Sequence, residues 1–282
     1  MTLDKTAKVK VIMIEFLKYF ILCFFAFWTL VPLFSCLVTA FKNVEEYQST
    51  SVMMFPRHWN LKNFSEAFKL AHMGRAFLNS AIVLVSVLAG SIIISSQLAF
   101  VLNRFKFPGN GLIRKLFLFA TLLPGVAMQV AVYSIMGKLG LINQLYGYII
   151  MMMGTDVISI YIFIQFMENI SLSLDESAII DGANYFTIYW KIILPLLKPA
   201  TITSMILKGV SCYNEYYCAN LYLQNVNIRT VAISLYTFTG PLGNQYNLIC
   251  AGVIISIIPA LIIFLLCQKH IYNGITNGAV KG

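Results

Sequence analysis

The sequence predicts an all-α polytopic membrane protein built as a six-helix bundle, and three observations carry that prediction. The 282 residues are 59% hydrophobic and only 11% charged, with a mean hydropathy of +0.78. Soluble domains are about half apolar and about a quarter charged. Six apolar stretches approach the ~20 residues that a helix needs to cross the hydrocarbon core; they fall at roughly 16–40, 77–101, 116–136, 147–167, 201–219 and 247–267. Runs such as "VLVSVLAGSIII" in the second stretch do not alternate as barrel strands do, and only helices or closed barrels satisfy the backbone in lipid.

The elements follow in order. Residues 1–15 form an N-terminal segment, with Lys5, Lys8 and Lys10 before the first span and Lys18 at its start. "LFSC" at 33–36 and "VTA" at 38–40 loosely resemble processing signals. A signal peptide's apolar core is only about 7–15 residues, so the longer run here reads as an uncleaved span. The connector 42–76, with "FPRHWNLKNF", is too polar to cross. The 103–115 connector carries Arg104, Lys106, Arg114 and Lys115, whereas 137–146 holds only Lys138. Lysine and arginine concentrate on the cytoplasmic side. That places both termini and the 168–200 loop in the cytoplasm, and the 42–76 and 220–246 connectors outside. The spans occupy 16–267, and 268–282 form a tail. Pro124-Gly125 and Pro259 read as kinks.

The net charge of +9 lies in connectors, without the stripe of basic and stacking residues that nucleic-acid binding requires. The six cysteines form no CxxC pair and the three histidines are scattered, so no metal site is expected. No paired carboxylates, Ser–Lys or HExxH arrangement suggests an enzyme.

Between the fourth and fifth spans, residues 171–200 read "SLSLDESAIIDGANYFTIYWKIILPLLKPA". Ser173 and Glu176 have capping-box spacing, and Asp175 and Glu176 suit the first turn of a helix. Gly182 is a helix stop. Asn184 can cap a second helix bearing Tyr185, Phe186, Tyr189 and Trp190, which Pro195 kinks or ends, and Pro199 marks entry to the fifth span. Ala178, Ile179, Ile180 and Ala183 beside two acids suit a knob that docks into a cleft on another protein. The alternative is a capped helix resting on the lipid surface.

The stretch "DESAIIDGANYFTIYWKIILPLLKP" resembles the EAA loop of binding-protein-dependent ABC importer permeases. Glu176, Ala178, Asp181, Gly182, Ala183, Ile192, Leu194 and Pro195 match that pattern in register, with Ser177 replacing an alanine. "VPLFSCLVTAFK", "NLKNFSEAF", "NSAIVLV", "LGLINQLYGYI", "YNEYYCA" and the terminal "GITNGAVKG" resemble the carbohydrate (MalG-type) branch. The resemblance implies a six-helix, MetI-like permease core that assembles with a second permease subunit, two ATP-binding subunits and an extracytoplasmic sugar-binding protein in a bacterial plasma membrane. It also implies that Asp175, Glu176, Ala178, Asp181, Gly182, Ala183, Leu194 and Pro195 couple the spans to the ATPase, and that the tail, with Gly278 and Lys281, reaches the same partner.

The chain lacks a GxxxxGK[ST] phosphate loop; "MGKLG" at 136–140 is the nearest fragment. No cofactor is expected here, and ATP would be bound by the partner. Asp156, Lys208 and Glu215 each cost ~2.5–3.5 kcal/mol at a helix centre and are candidates for a transport pathway or for structural roles. Lys208 and Glu215 share a face about 10 Å apart along the axis. Asn214 offers donors and acceptors for sugar hydroxyls, and Tyr213, Tyr216 and Tyr217 offer stacking faces. Two rival readings are a permease for a non-sugar substrate and an ion-driven secondary transporter; the paired repeats of the latter are not evident.

Overall fold

The computed structural model describes residues 5–154, 156–239 and 244–279, which contain helices and no strand. Helix α1 (Lys5–Ala40) is followed by the short α2 (Val44–Ser49) and α3 (Lys62–Leu70), then by α4 (Met73–Arg104). Helices α5 (Asn110–Thr121) and α6 (Gly125–Lys138) form a pair, as do α7 (Leu145–Met153) and α8 (Val157–Met167). Helix α9 (Ser173–Ile180), α10 (Tyr185–Ile188), a π turn over Tyr189–Ile193 and α11 (Leu194–Leu196) lead into α12 (Lys198–Tyr213). Helices α13 (Tyr217–Tyr222) and α14 (Val231–Ser234) precede α15 (Tyr246–Ala279).

Among the described residues, three helices are each long and apolar enough to span a bilayer: α1 from Lys10, α4, and α15 to Leu266. Three further spans arise only if each of three pairs bent by more than 40° counts as one. The expected kink at Pro124-Gly125 is a break: α5 and α6 meet at 104°. Proline disfavours the helical conformation at Leu123, and Pro124 itself is extended at ψ 114°, so the helix restarts at Gly125. Pro259, by contrast, lies inside an unbroken α15. The fifth apolar stretch also differs from its expected bounds, since α12 starts at Lys198 and stops at Tyr213, with a 74° bend from the preceding Tyr185–Leu196 segment.

The chain divides into two compact units, one of residues up to Ala71 with Leu235–Ile258, the other of His72–Ser234 with the residues from Pro259. In the first unit the polar connector after α1 is an ordered cap. Lys42 is 1% exposed, and its Nζ donates to Thr50 Oγ1 at 3.0 Å and to the Ser51 carbonyl at 2.7 Å. Asn63 Nδ2 donates to the carbonyls of Ala40 and Lys42 at 2.8 and 2.7 Å, and Asn63 Oδ1 accepts from Asn247 Nδ2 at 3.3 Å. Buried polar groups need such partners.

In the second unit α4 packs chiefly on α8, then on α7 and α12. Half of its buried positions are small: Ala76, Ser80, Ser91, Ser95, Ser96 and Ala99. Lipid gives helices no hydrophobic drive to associate, so close van der Waals approach over small residues does that work. The lower part of α4 joins Ile160, Phe163, Ile164 and Met167 of α8, together with Ile188, Tyr189 and Ile193, in one buried cluster. The loop between α8 and α12 is therefore seated on α4.

Candidate coupling loop and transport residues

Helix α9 starts one residue earlier than a Ser173 cap allows. Leu172, in helical conformation, occupies the N-cap position, and its carbonyl accepts from the amides of Asp175 and Glu176 at 3.0 and 3.1 Å. Ser173 is thereby the first helical residue, and the expected capping box with Glu176 does not form. Ser171 Oγ serves instead, accepting from the Ser173 amide at 3.2 Å.

The other end follows the expected stop. Gly182 has φ +83°, a left-handed conformation that glycine adopts without a Cβ penalty. The Ala183 amide donates to the Ala178 carbonyl and the Gly182 amide to the Ile179 carbonyl, both at 2.9 Å; this pair of bonds is a Schellman motif. It folds Ala183 back over Ala178, and both contact the apolar cluster. Asn184 then caps the next helix, its Oδ1 accepting from the Thr187 amide at 2.8 Å.

Helix α9 has two distinct faces. Asp175 and Ala178, three residues apart and so on one face, are buried. Glu176, Ile179, Ile180 and Asp181 are exposed, with Ile180 at 85% and Phe186 just beyond at 71%. Ala178, expected in the knob, faces inward. Asp175 also faces inward: its Oδ2 lies 2.7 Å from Arg104 Nε, with the two side chains 10% and 5% exposed. Burial pushes the Asp175 carboxyl above its ordinary value, and the Arg104 guanidinium opposes that shift. Glu176 is thus the acid in the first turn left facing outward.

Proline 195 does not end the second helix. Leu194 N–H donates to the Tyr189 carbonyl five residues back, and this widened turn relieves the clash that a proline ring makes with the carbonyl four residues earlier. Leu194 is half-buried and Pro195 exposed; the change of direction falls two residues later, at Leu197.

The pathway candidates are divided rather than gathered. Asp156 caps α8, its Oδ2 accepting from Ser159 Oγ at 2.8 Å. Glu215 Oε1 accepts from the Cys218 amide at 2.8 Å at the start of α13. Tyr213 and Asn214 line a groove of about 300 Å³ with Leu84, Met205, Gly209 and Phe264, and the remaining lining is apolar. Lys208 is half-buried on another face of α12, one turn from the buried Ser204 and Cys212. Tyr216 is half-buried beside the cluster around Tyr148 and Tyr222. Gly278 falls in the last turn of α15, and Lys281 lies outside the described residues. Among the described residues no His, Cys, Asp and Glu group could hold a metal ion.

Sequence reasoning took Arg104 only as a marker of membrane orientation and missed its pairing with Asp175. No local pattern links an arginine at the end of one helix to an aspartate in a distant loop.

Helices long and apolar enough to span a bilayer, with a helical loop seated on α4 and exposed on its other face, define a helical membrane protein. Residues 91–275 match the family described as the binding-protein-dependent transport system inner membrane component, and the chain belongs to that family. It is 32% identical, over 89% of its length and 91% of the relative's, to a probable starch degradation products transport system permease protein, AmyC, of Thermoanaerobacterium thermosulfurigenes. It is 29% identical to the melibiose/raffinose/stachyose import permease protein MelC of Bacillus subtilis, over 89% of this chain and 91% of that one. Its fold matches the crystal structure of a bacterial ABC transporter involved in the import of the acidic polysaccharide alginate, with a TM-score of 0.80 at 20% identity, covering 95% of this chain and 99% of that one. Membership implies an ATPase and a binding protein as partners.

Proposed function

We propose that this chain is the transmembrane subunit of an ATP-driven sugar or oligosaccharide importer, forming half of the translocation pathway and taking its power stroke through α9 and α10. The observation that carries the coupling role is the outward face of α9. Glu176, Ile179, Ile180 and Asp181 form an acid-rimmed apolar knob beside the Gly182 turn, on a loop whose other face is seated on α4. A helix held that way moves as a rigid body when its partner moves. The substrate class is supported by relatives whose names specify starch products and melibiose-type oligosaccharides.

In this reading a second, different permease completes the pathway, two ATP-binding subunits supply hydrolysis, and an extracytoplasmic binding protein delivers sugar. Both termini and the coupling loop lie in the cytoplasm of a bacterial cell. The transmembrane domain runs over 16–267 and the tail over 268–282, where Gly278 and Lys281 are second contacts for the ATPase. Glu176 and Asp181 pair with basic groups on the ATPase, Gly182 allows close approach, and Leu194 and Pro195 set the angle at which the loop enters the bundle. Asp175, Ala178 and Ala183 hold the knob from behind. Lys208, Tyr213, Asn214 and Tyr216 are the pathway candidates, with Asp156 and Glu215 supporting it as helix caps.

The test is purification of the tagged chain in mild detergent with identification of the proteins that accompany it. A second six-span permease and an ATPase with a phosphate-binding loop are expected. Recovery of the chain alone, conducting solute without ATP, would overturn the reading in favour of a channel or secondary transporter.

A further inference from the structure

Very little attaches α9 to the rest of its unit. Only Asp175 and Ala178 of the helix are buried. Ala178 contributes a methyl group, whereas Asp175 reaches the last residue of α4. The Arg104 guanidinium uses its three nitrogens on three segments. Nε faces Asp175 Oδ2 at 2.7 Å, Nη2 donates to the Ile170 carbonyl at 3.1 Å, and Nη1 donates to Asn103 Oδ1 at 3.2 Å. One side chain thus joins α4, the segment entering α9 and α9 itself, with Arg104 and Ile170 lying 66 residues apart in sequence. A second tie lies about two turns back along α4. There the hydroxyls of Ser96 and Tyr189, both buried, are 2.7 Å apart, and Tyr189 opens the π turn.

We propose that Arg104 is a positioning residue that makes α4 a driven span of the transport cycle, its guanidinium carrying displacement of the coupling helix directly into α4. This rests on α9 being the ATPase-docking element. The spans continuous with the loop, α8 and α12, are then not its only outputs. The contact with α9 is a single Nε–Oδ2 pair, and its direction is fixed because Nη1 and Nη2 are held by Asn103 and the Ile170 carbonyl, which the point charge of a lysine does not provide. Rotation of α9 against α4 therefore requires the pair to break, and a buried ion pair resists that because each freed charge is left uncompensated.

The experiment uses the complete importer, purified through this chain in a cysteine-free background and reconstituted in sealed proteoliposomes. Nitroxide labels go on the exposed positions Val101 of α4 and Leu174 of α9. In the otherwise unaltered chain, the distance between labels is expected to be the same without nucleotide and after trapping with ATP and orthovanadate. In Arg104→Gln it should shift on trapping, with loss of coupled uptake while the ATPase still co-purifies. Arg104→Lys should restore part of the coupling. If Arg104→Gln fails to assemble, Asp175→Asn keeps the side-chain shape without its charge and is read the same way. Arg104 as a mere structural staple predicts lower thermal stability with no nucleotide-dependent shift, and that result overturns the proposal, as does a shift in the unaltered chain. Absence of a co-purifying ATPase would instead sink the docking reading itself.

Discussion

At the scale of single residues, the acids within the apolar stretches bear most directly on function. Asp156 looks from sequence like a charge lining a path, yet its carboxylate caps α8 through Ser159. Asparagine caps a helix about as well as aspartate. Asp156→Asn is therefore expected to leave both uptake and melting temperature near wild type, whereas Asp156→Ala should lose ~0.5–2 kcal/mol in thermal unfolding of the purified protein. Slow uptake with normal stability in the asparagine variant would return Asp156 to the pathway. Gly182 gives a second residue-scale prediction. A Cβ there meets no atom within 4 Å, so Gly182→Ala costs only the ~1–2 kcal/mol of left-handed strain and should keep most uptake. Gly182→Arg adds bulk to the exposed knob and should still insert in the membrane, yet hydrolyse ATP without uptake; normal uptake would remove this turn from coupling. The Gly182 stop and the Asn184 cap were legible because their signals are local. The inward turn of Asp175 was not, because its cause is a residue from another helix.

At the scale of elements, packing depends on where a helix has room for its neighbour. Two glycines separate steric limits of different kinds. A methyl group at Gly90 would meet the Met153 thioether, a flexible side chain, whereas one at Gly147 would collide with the Leu141 backbone carbonyl. Gly147→Ala should therefore destabilise the start of α7 markedly more than Gly90→Ala destabilises α4, which limited proteolysis of the two purified variants would rank. Equal resistance would mean that the 139–145 turn yields easily. Helix existence was readable along nearly the whole chain, since runs as long and apolar as α1, α4 and α15 have few other solutions. Breaks were harder to read. Proline and glycine occur at the sharp α5–α6 corner and again inside continuous α15, and only the neighbours of each decide between them. The π turn before Pro195 left no signal in composition at all.

At the scale of the whole molecule, charge asymmetry makes orientation testable without a structure. A single cysteine at exposed Lys106 should resist a membrane-impermeant maleimide in intact cells, and one at exposed Glu45 should react. The reverse pattern would invert the chain and move the coupling loop to the wrong side for an ATPase. The apolar helices, the loop and the family were legible, because membrane solvation imposes a coarse pattern and the loop's residues recur in register; six spans are counted only where each bent pair is one span. The ordered cap around Lys42 and Asn63 was not, since polar connectors and polar caps have the same composition. The exposed knob on the loop has a further consequence for the living cell. A copy without its ATPase displays Ile180 and Phe186 to water, the kind of surface that quality-control proteases and chaperones act on. Deleting the ATPase gene should thus shorten the lifetime of this chain in a pulse-chase. The same few side chains that transmit force would then also keep the subunits in proportion, each unassembled copy marked for removal by the surface it was built to hide.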